Sequence, residues 1–238
     1  KLCSEAADAN RGVAALPFTA KALREKKRIR VLAVGATPLN ERDQLHGQYG
    51  RVEKVLESSF KGLDVEIVDR GVSGELARDG AERIKTEVAL GKPDLVFWQV
   101  GVADALALTP ANELKEVLLQ TVKWLKQHDI DVVLIGLRYQ RSLTSNVAYQ
   151  QIRDAIREVV RDEGILRIGH YEAVEAMDRV RRKEGEPASE LNLTDAGSMC
   201  LADFLSRALA VAFRRSAGHR GRDALRGRVP ACNGAVIG

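Results

Sequence analysis

No stretch of this 238-residue chain comes near the ~20 consecutive apolar residues of a membrane-spanning helix, so no transmembrane segment is expected within it. The leading residues, Lys1 to Arg11, are polar and small and lack the apolar stretch of a signal peptide. A mature, trimmed terminus would read the same way. No His/Cys/Asp cluster occurs at metal-ligand spacing. No G-x-G-x-x-G is present, and no Gly-Lys-Ser/Thr follows Gly35-Ala36-Thr37. Neither a metal, a nucleotide nor any other cofactor is therefore expected. Internal repeats and low-complexity tracts are also missing. What remains is ordinary for a globular chain, 45% hydrophobic and 29% charged, of a length that suits one α/β domain with decorated ends.

Charge is unevenly spread. The net charge is +4, yet Arg214 to Arg228 alone holds six Arg and one Asp. This basic tail suits an anionic partner, such as a membrane surface or an acidic polysaccharide, or is simply solvated. Nucleic acid is not expected, since no aromatic residue follows Phe213 on which a base could stack. Of three cysteines, Cys3 and Cys232 lie near the two ends and Cys200 falls in an apolar helical pattern. A Cys3–Cys232 disulfide would imply a periplasmic or secreted protein; free thiols would fit a cytoplasmic one.

From Arg28 onward, strand-like apolar runs alternate with helical patterns, the order of a parallel sheet covered by helices on both faces. The runs are Ile29–Gly35, Asp64–Asp69, Asp94–Val100, Asp131–Ile135 and Ile165–Ile168. The third and fourth are nearly continuous and belong mid-sheet, whereas the second alternates as an edge strand does. Leu114, Val117, Leu118, Thr121, Val122 and Leu125 share one helical face, as do Ala148, Ile152, Ile156 and Val159. Gly91 and Pro93 stop a helix ahead of the third strand. A last helix starts near Thr194 and turns Leu201, Leu205, Ala208, Leu209 and Ala212 inward. The chain thus divides into an N-terminal extension (1–27), a domain (28–213) and a basic tail (214–238). In such sheets, ligands bind beyond the carboxyl ends of the strands, at loops beginning Gly35-Ala36-Thr37-Pro38, Gly71-Val72-Ser73-Gly74-Glu75 and Gly101-Val102-Ala103-Asp104.

These loops, in this order, resemble those of the SGNH/GDSL hydrolases. Asp94-Leu95-Val96-Phe97-Trp98-Gln99-Val100-Gly101-Val102-Ala103-Asp104-Ala105-Leu106 is similar to the family's third block, D-L-V-I-W-Q-x-G-T-N-D-A-L. Arg70-Gly71-Val72-Ser73-Gly74-Glu75 is similar to its second block, and Leu191-Asn192-Leu193-Thr194-Asp195-Ala196-Gly197 to its last, L-H-P-T-D-A-G. The resemblance implies a three-layer α/β/α, flavodoxin-like fold with a five-stranded parallel sheet. It also implies acyl transfer to a serine that a histidine deprotonates while an aspartate orients that histidine, with the oxyanion held by amides.

Carried over by position, the nucleophile falls on Thr37, with Ala36 in place of the Asp of Gly-Asp-Ser. The second-block oxyanion glycine is Gly74. The third-block asparagine is replaced by Ala103, beside a kept Asp104, and the last block's Asp and His fall on Ser189 and Asn192. A threonine attacks only with a base beside it, and an asparagine amide has no basic nitrogen. Without base and orienter, about 10³ to 10⁴ over water is left. The missing oxyanion amide removes about another 10² to 10³.

His170, which follows the fifth strand, and Glu190 are the candidate rescue bases, although that strand is an edge distant from the first. His46 is placed on the first helix and His128 at a helix end. Trp98 and Phe97 read as core and wall residues, Arg138 and Tyr139 as the mouth of a pocket or a solvated loop, and Asp104 as a cap for the helix that follows it.

Two functions are thus weighed. One is a non-catalytic envelope protein that binds a carbohydrate, an acylated ligand or a protein partner in the cleft or on the tail. The other is an active ester hydrolase or acyltransferase using Thr37 with a displaced base. A pure scaffold with a filled cleft is a third.

Overall fold

The computed structural model describes residues 16–35, 48–185, 189 and 203–211. Five parallel strands form one sheet in the order β2-β1-β3-β4-β5: β1 (Arg28–Val34), β2 (Asp64–Asp69), β3 (Leu95–Gln99), β4 (Asp131–Ile135) and β5 (Leu166–Ile168). Register runs Val31 to Leu95 and Val34 to Trp98 across β1/β3, and Leu95 to Asp131 across β3/β4. The two continuous apolar runs do sit mid-sheet, every residue of β3 and β4 being buried. As expected, β2 and β5 are the edges.

The helices are α1 (Pro17–Lys26), α2 (Gln48–Ser59), α3 (Ala77–Gly91), α4 (Val102–Leu106), α5 (Ala111–Gln127), α6 (Val147–Glu163) and α7 (His170–Lys183), followed by α8 (203–211). Only the β1-to-β2 step runs leftward along the sheet. Right-handed crossovers then put α2 on the face opposite α3, α5 and α6. Adjacent side chains of β3 confirm it: the Phe97 ring stacks on Tyr49 of α2 at 6.0 Å, while the Trp98 indole faces Gly80 of α3. Both rings are core residues.

Each helix follows from its apolar face and its ends. α5 buries Leu114, Leu118, Thr121, Val122 and Leu125. α6 starts at Asn146, whose side chain accepts from the Tyr149 amide, and stops at Gly164 in a left-handed turn. Its inward face includes Tyr149 in place of the expected Ala148. α3 runs through Gly91, and Lys92, not the glycine, takes the left-handed position that closes it. In α8, Leu205 and Leu209 are buried as expected, joined by Phe204.

Two helices lie where no element was expected. α7 fills the stretch after β5. α1 falls within residues 1–27, and its flank Leu16 is only 1% exposed, within the core. α1 packs on β1 and β4. No helix among the described residues is long and apolar enough to cross a membrane. Cys3, Cys200 and Cys232, His46, Leu201 and Ala212, and the tail 214–238 lie outside the described residues.

Candidate active site

The strand order reverses between β1 and β3, and ligands in such sheets bind beyond the carboxyl ends at that point. Here β1 ends on Gly35 in a left-handed conformation (φ +103°), packed so tightly that a Cβ would stand 1.8 Å from the Gln99 carbonyl oxygen. The loop that begins there holds Ala36 and Thr37, outside the described residues, as are Glu190, Asn192 and Thr194.

The loop after β2 is shaped by carboxylates. Asp69 Oδ1 accepts from the Gly71 amide at 2.8 Å. Glu75 turns inward, with its side chain 3% exposed, and its Oε1 accepts from Arg83 Nε of α3 at 2.7 Å. The second oxygen, Oε2, is buried with no hydrogen-bond partner among the described residues. Between these anchors Gly74 adopts φ +76°, with no described residue within 4 Å of where a Cβ would be.

After β3, Gly101 (φ +106°) lets α4 approach α6; a Cβ there would meet Ile156, Ile152 and Leu137 at 2.8 to 3.0 Å. Ala103 and Asp104 are in α4. Asp104 was expected to cap the helix that follows it. Instead its two carboxylate oxygens accept from the Ala77 amide, at 3.1 and 3.2 Å, at the start of α3, which has no side-chain cap of its own. Burial pushes the Asp104 carboxyl above its ordinary value, and the Ala77 N–H pulls the other way. The two carboxylates, Glu75 and Asp104, thus pin both ends of the turn between Gly74 and α3.

The loop after β4 is tied to α7. Tyr139 is buried, donating to Asp178 Oδ2 at 2.8 Å, so it is a packed anchor and not the solvated residue or pocket lip expected. Arg141 binds both oxygens of the same carboxylate. Asp178 is held below its ordinary value first by Arg141, and burial pushes the Tyr139 phenol up to about 12. Tyr149 donates to the Arg138 carbonyl at 2.6 Å, and burial lowers the Arg138 guanidinium to about 10.

His170 opens α7 and is buried. Three inter-strand spacings, about 14 Å, separate β5 from β1. Ser189 is exposed. Among the described residues, no group of three or more His, Cys, Asp or Glu could hold a metal ion.

A model of the non-GDSL lipase-like family matches residues 2–215. The chain belongs to that family. No curated protein matches the sequence significantly. Among solved structures, this family member is similar to the acetyl xylan esterase AlAXEase, at 18% identity and TM-score 0.61, with 76% of this chain and 99% of that one covered. It is also similar to a catalytic mutant of Axe2, an acetylxylan esterase from Geobacillus stearothermophilus (18%, TM-score 0.57, 78% and 94%). A protein from Parabacteroides merdae described as a GDSL-like lipase gives 16% and TM-score 0.60, with 76% and 94% covered. At these identities the likeness is one of fold, the α/β/α fold of SGNH hydrolases.

The structure therefore brings Gly74, Ala103 and Asp104 to the carboxyl end of the sheet, after the two strands that flank β1, and sets His170 at the far edge. Glu75, Arg83 and Asp178 were not singled out from the sequence. Glu75 stood inside a quoted block, but its partner eight residues on gives no local signal of pairing.

Proposed function

We propose that this member of the non-GDSL lipase-like family binds an acylated carbohydrate, through the carboxyl-end cleft, without hydrolysing it. The observation that carries the reading is the fate of the third block. Where an oxyanion amide is needed, Ala103 offers a methyl group, and the neighbouring carboxylate of Asp104 is engaged in capping α3. Among the described residues, the two histidines are His128, which ends α5 just ahead of β4, and His170, at the sheet edge; neither stands in the loops that leave the carboxyl ends of β1, β2 or β3. By sequence position, Thr37 has Ser189 and Asn192 where an orienting acid and a base are required.

Acylated sugars are the favoured ligand because two of the similar folds are described as acetylxylan esterases. An envelope location, a terminal disulfide and an anionic partner for the Arg-rich tail extend the same proposal. The rival is an active ester hydrolase or acyltransferase using Thr37 with His170 as a displaced base, favoured by the esterase descriptions of those folds. Turnover of p-nitrophenyl acetate separates them. The binding reading expects a near-background rate, flat with pH and unchanged in Thr37→Ala. Robust turnover lost in Thr37→Ala, with a near-neutral titration lost in His170→Ala, would establish the rival.

A further inference from the structure

The amino end of the sheet, opposite the cleft, holds a carboxylate whose partners among the described residues are on one helix. Asp131 opens β4 and is buried. Its Oδ2 accepts from both the amide and the hydroxyl of Thr19, each at 2.8 Å. Thr19 lies in the first turn of α1, which has no side-chain cap of its own. The carboxylate therefore supplies from another element the acceptor that the helix start lacks.

Among the described residues, no cation pairs with this charge. The charged side chains of α1, Lys21, Arg24, Glu25 and Lys26, are exposed, as are Lys92 and Asp129 on the turns entering β3 and β4. Lys26 pairs with Asp94 at 3.3 Å. Asp94 also accepts from the Arg30 amide, and the Arg30 guanidinium is turned to the Gly91 carbonyl and Glu66. None of these groups makes an ion pair or hydrogen bond with Asp131.

We infer that α1 is a proton-sensitive clasp, docked more tightly on the amino end of the sheet in mild acid than above neutrality, with Asp131 as the group that titrates. A carboxylate buried with no cation is costly in its charged form, and the Thr19 donors recover only part of that cost. Burial accordingly raises the Asp131 carboxyl to about 6, against the pull of Thr19 and then Phe18. The sign follows. Undocking α1 returns Asp131 to water and to its ordinary value of 3.8. Docking is strongest below that value, weakens as pH rises toward about 6, and is constant above. The device acts on whether the N-terminal segment that α1 carries is held against the body, independently of the reading proposed for the cleft.

Hydrogen exchange of the full chain at pH 4.5 and 7.5 tests it, with rates corrected for the intrinsic pH dependence and α5 as the internal reference. The α1 amides should lose on the order of tenfold in protection relative to α5 at the higher pH. Asp131→Asn, which keeps an acceptor for Thr19 but cannot ionise, should abolish the difference. Thr19→Val, which removes the hydroxyl donor and leaves the carboxyl, should lower α1 protection and keep a pH dependence. Equal relative protection of wild-type α1 at both pH values would overturn the inference, and so would an unchanged pH dependence in Asp131→Asn.

Discussion

The α-carbon of Gly35 lies against the carbonyl of Gln99, so close that a methyl group would stand 1.8 Å from that oxygen. Because residue 35 also adopts φ +103°, where side chains are strained, the ends of β1 and β3 meet only if this residue has no side chain. That contact sets where the chain leaves the sheet toward residue 37. Gly35→Ala should destabilise the fold by on the order of 3 kcal/mol, read as a lowered denaturant midpoint with little change in slope.

Asp178 carries the loop after β4. Removing its carboxylate leaves the Arg141 guanidinium and the Tyr139 hydroxyl without their acceptor. Asp178→Ala should cost about 3–5 kcal/mol, and Tyr139→Phe only about 1 kcal/mol, since the Arg141 pair survives. Chemical denaturation of the two variants checks the ranking; equal losses would mean that the ion pair contributes nothing beyond the phenol.

Acid should weaken the edge of the sheet. At Glu172 burial opposes the charge, but Arg167 and then Arg157 outweigh it and hold the carboxyl near about 2; Asp178 is also depressed. Groups depressed on folding contribute stability above their ordinary values and lose it as pH falls through the folded value. For Glu172 the loss amounts to about 3 kcal/mol between roughly pH 4.5 and 2. Thermal melts across that window should fall steeply in the wild type and less so in Glu172→Gln.

Much of this architecture was legible in the sequence, because the continuous apolar runs of β3 and β4 and the helical stripe of α5 leave few alternatives. α1 was hidden for a physical reason. Its buried residues are Thr19, Ala20 and Ala22, small groups that make no apolar stripe, and Thr19 is held by Asp131, 112 positions away. α7 was obscured by its charge, with inward Val174 and Met177 set among acidic and basic residues. The retained Asp104 was recognisable, but its partner was not, since Ala77 lies 27 positions earlier. Block matches gave the positions at which the resemblance expects catalytic side chains, whereas the anchoring of the turns depended on pairs distant in sequence.

Asp104 offers a local test of that anchoring. Asp104→Ala should cost about 1–2 kcal/mol as the external cap of α3 is lost, with faster amide exchange concentrated at residues 77–80. Asp104→Asn, which keeps an acceptor for the Ala77 amide, should retain most of the protection. Identical exchange in the alanine variant and the wild type would show that the carboxylate does not hold this turn.

The proposed binding function requires a Thr37 hydroxyl that no base activates. Intact-mass spectrometry after exposure of the native protein to a fluorophosphonate reads this directly, because such reagents label hydroxyls that a neighbouring base has made nucleophilic. An unchanged mass is expected. A single stoichiometric adduct, absent from Thr37→Ala, would contradict it.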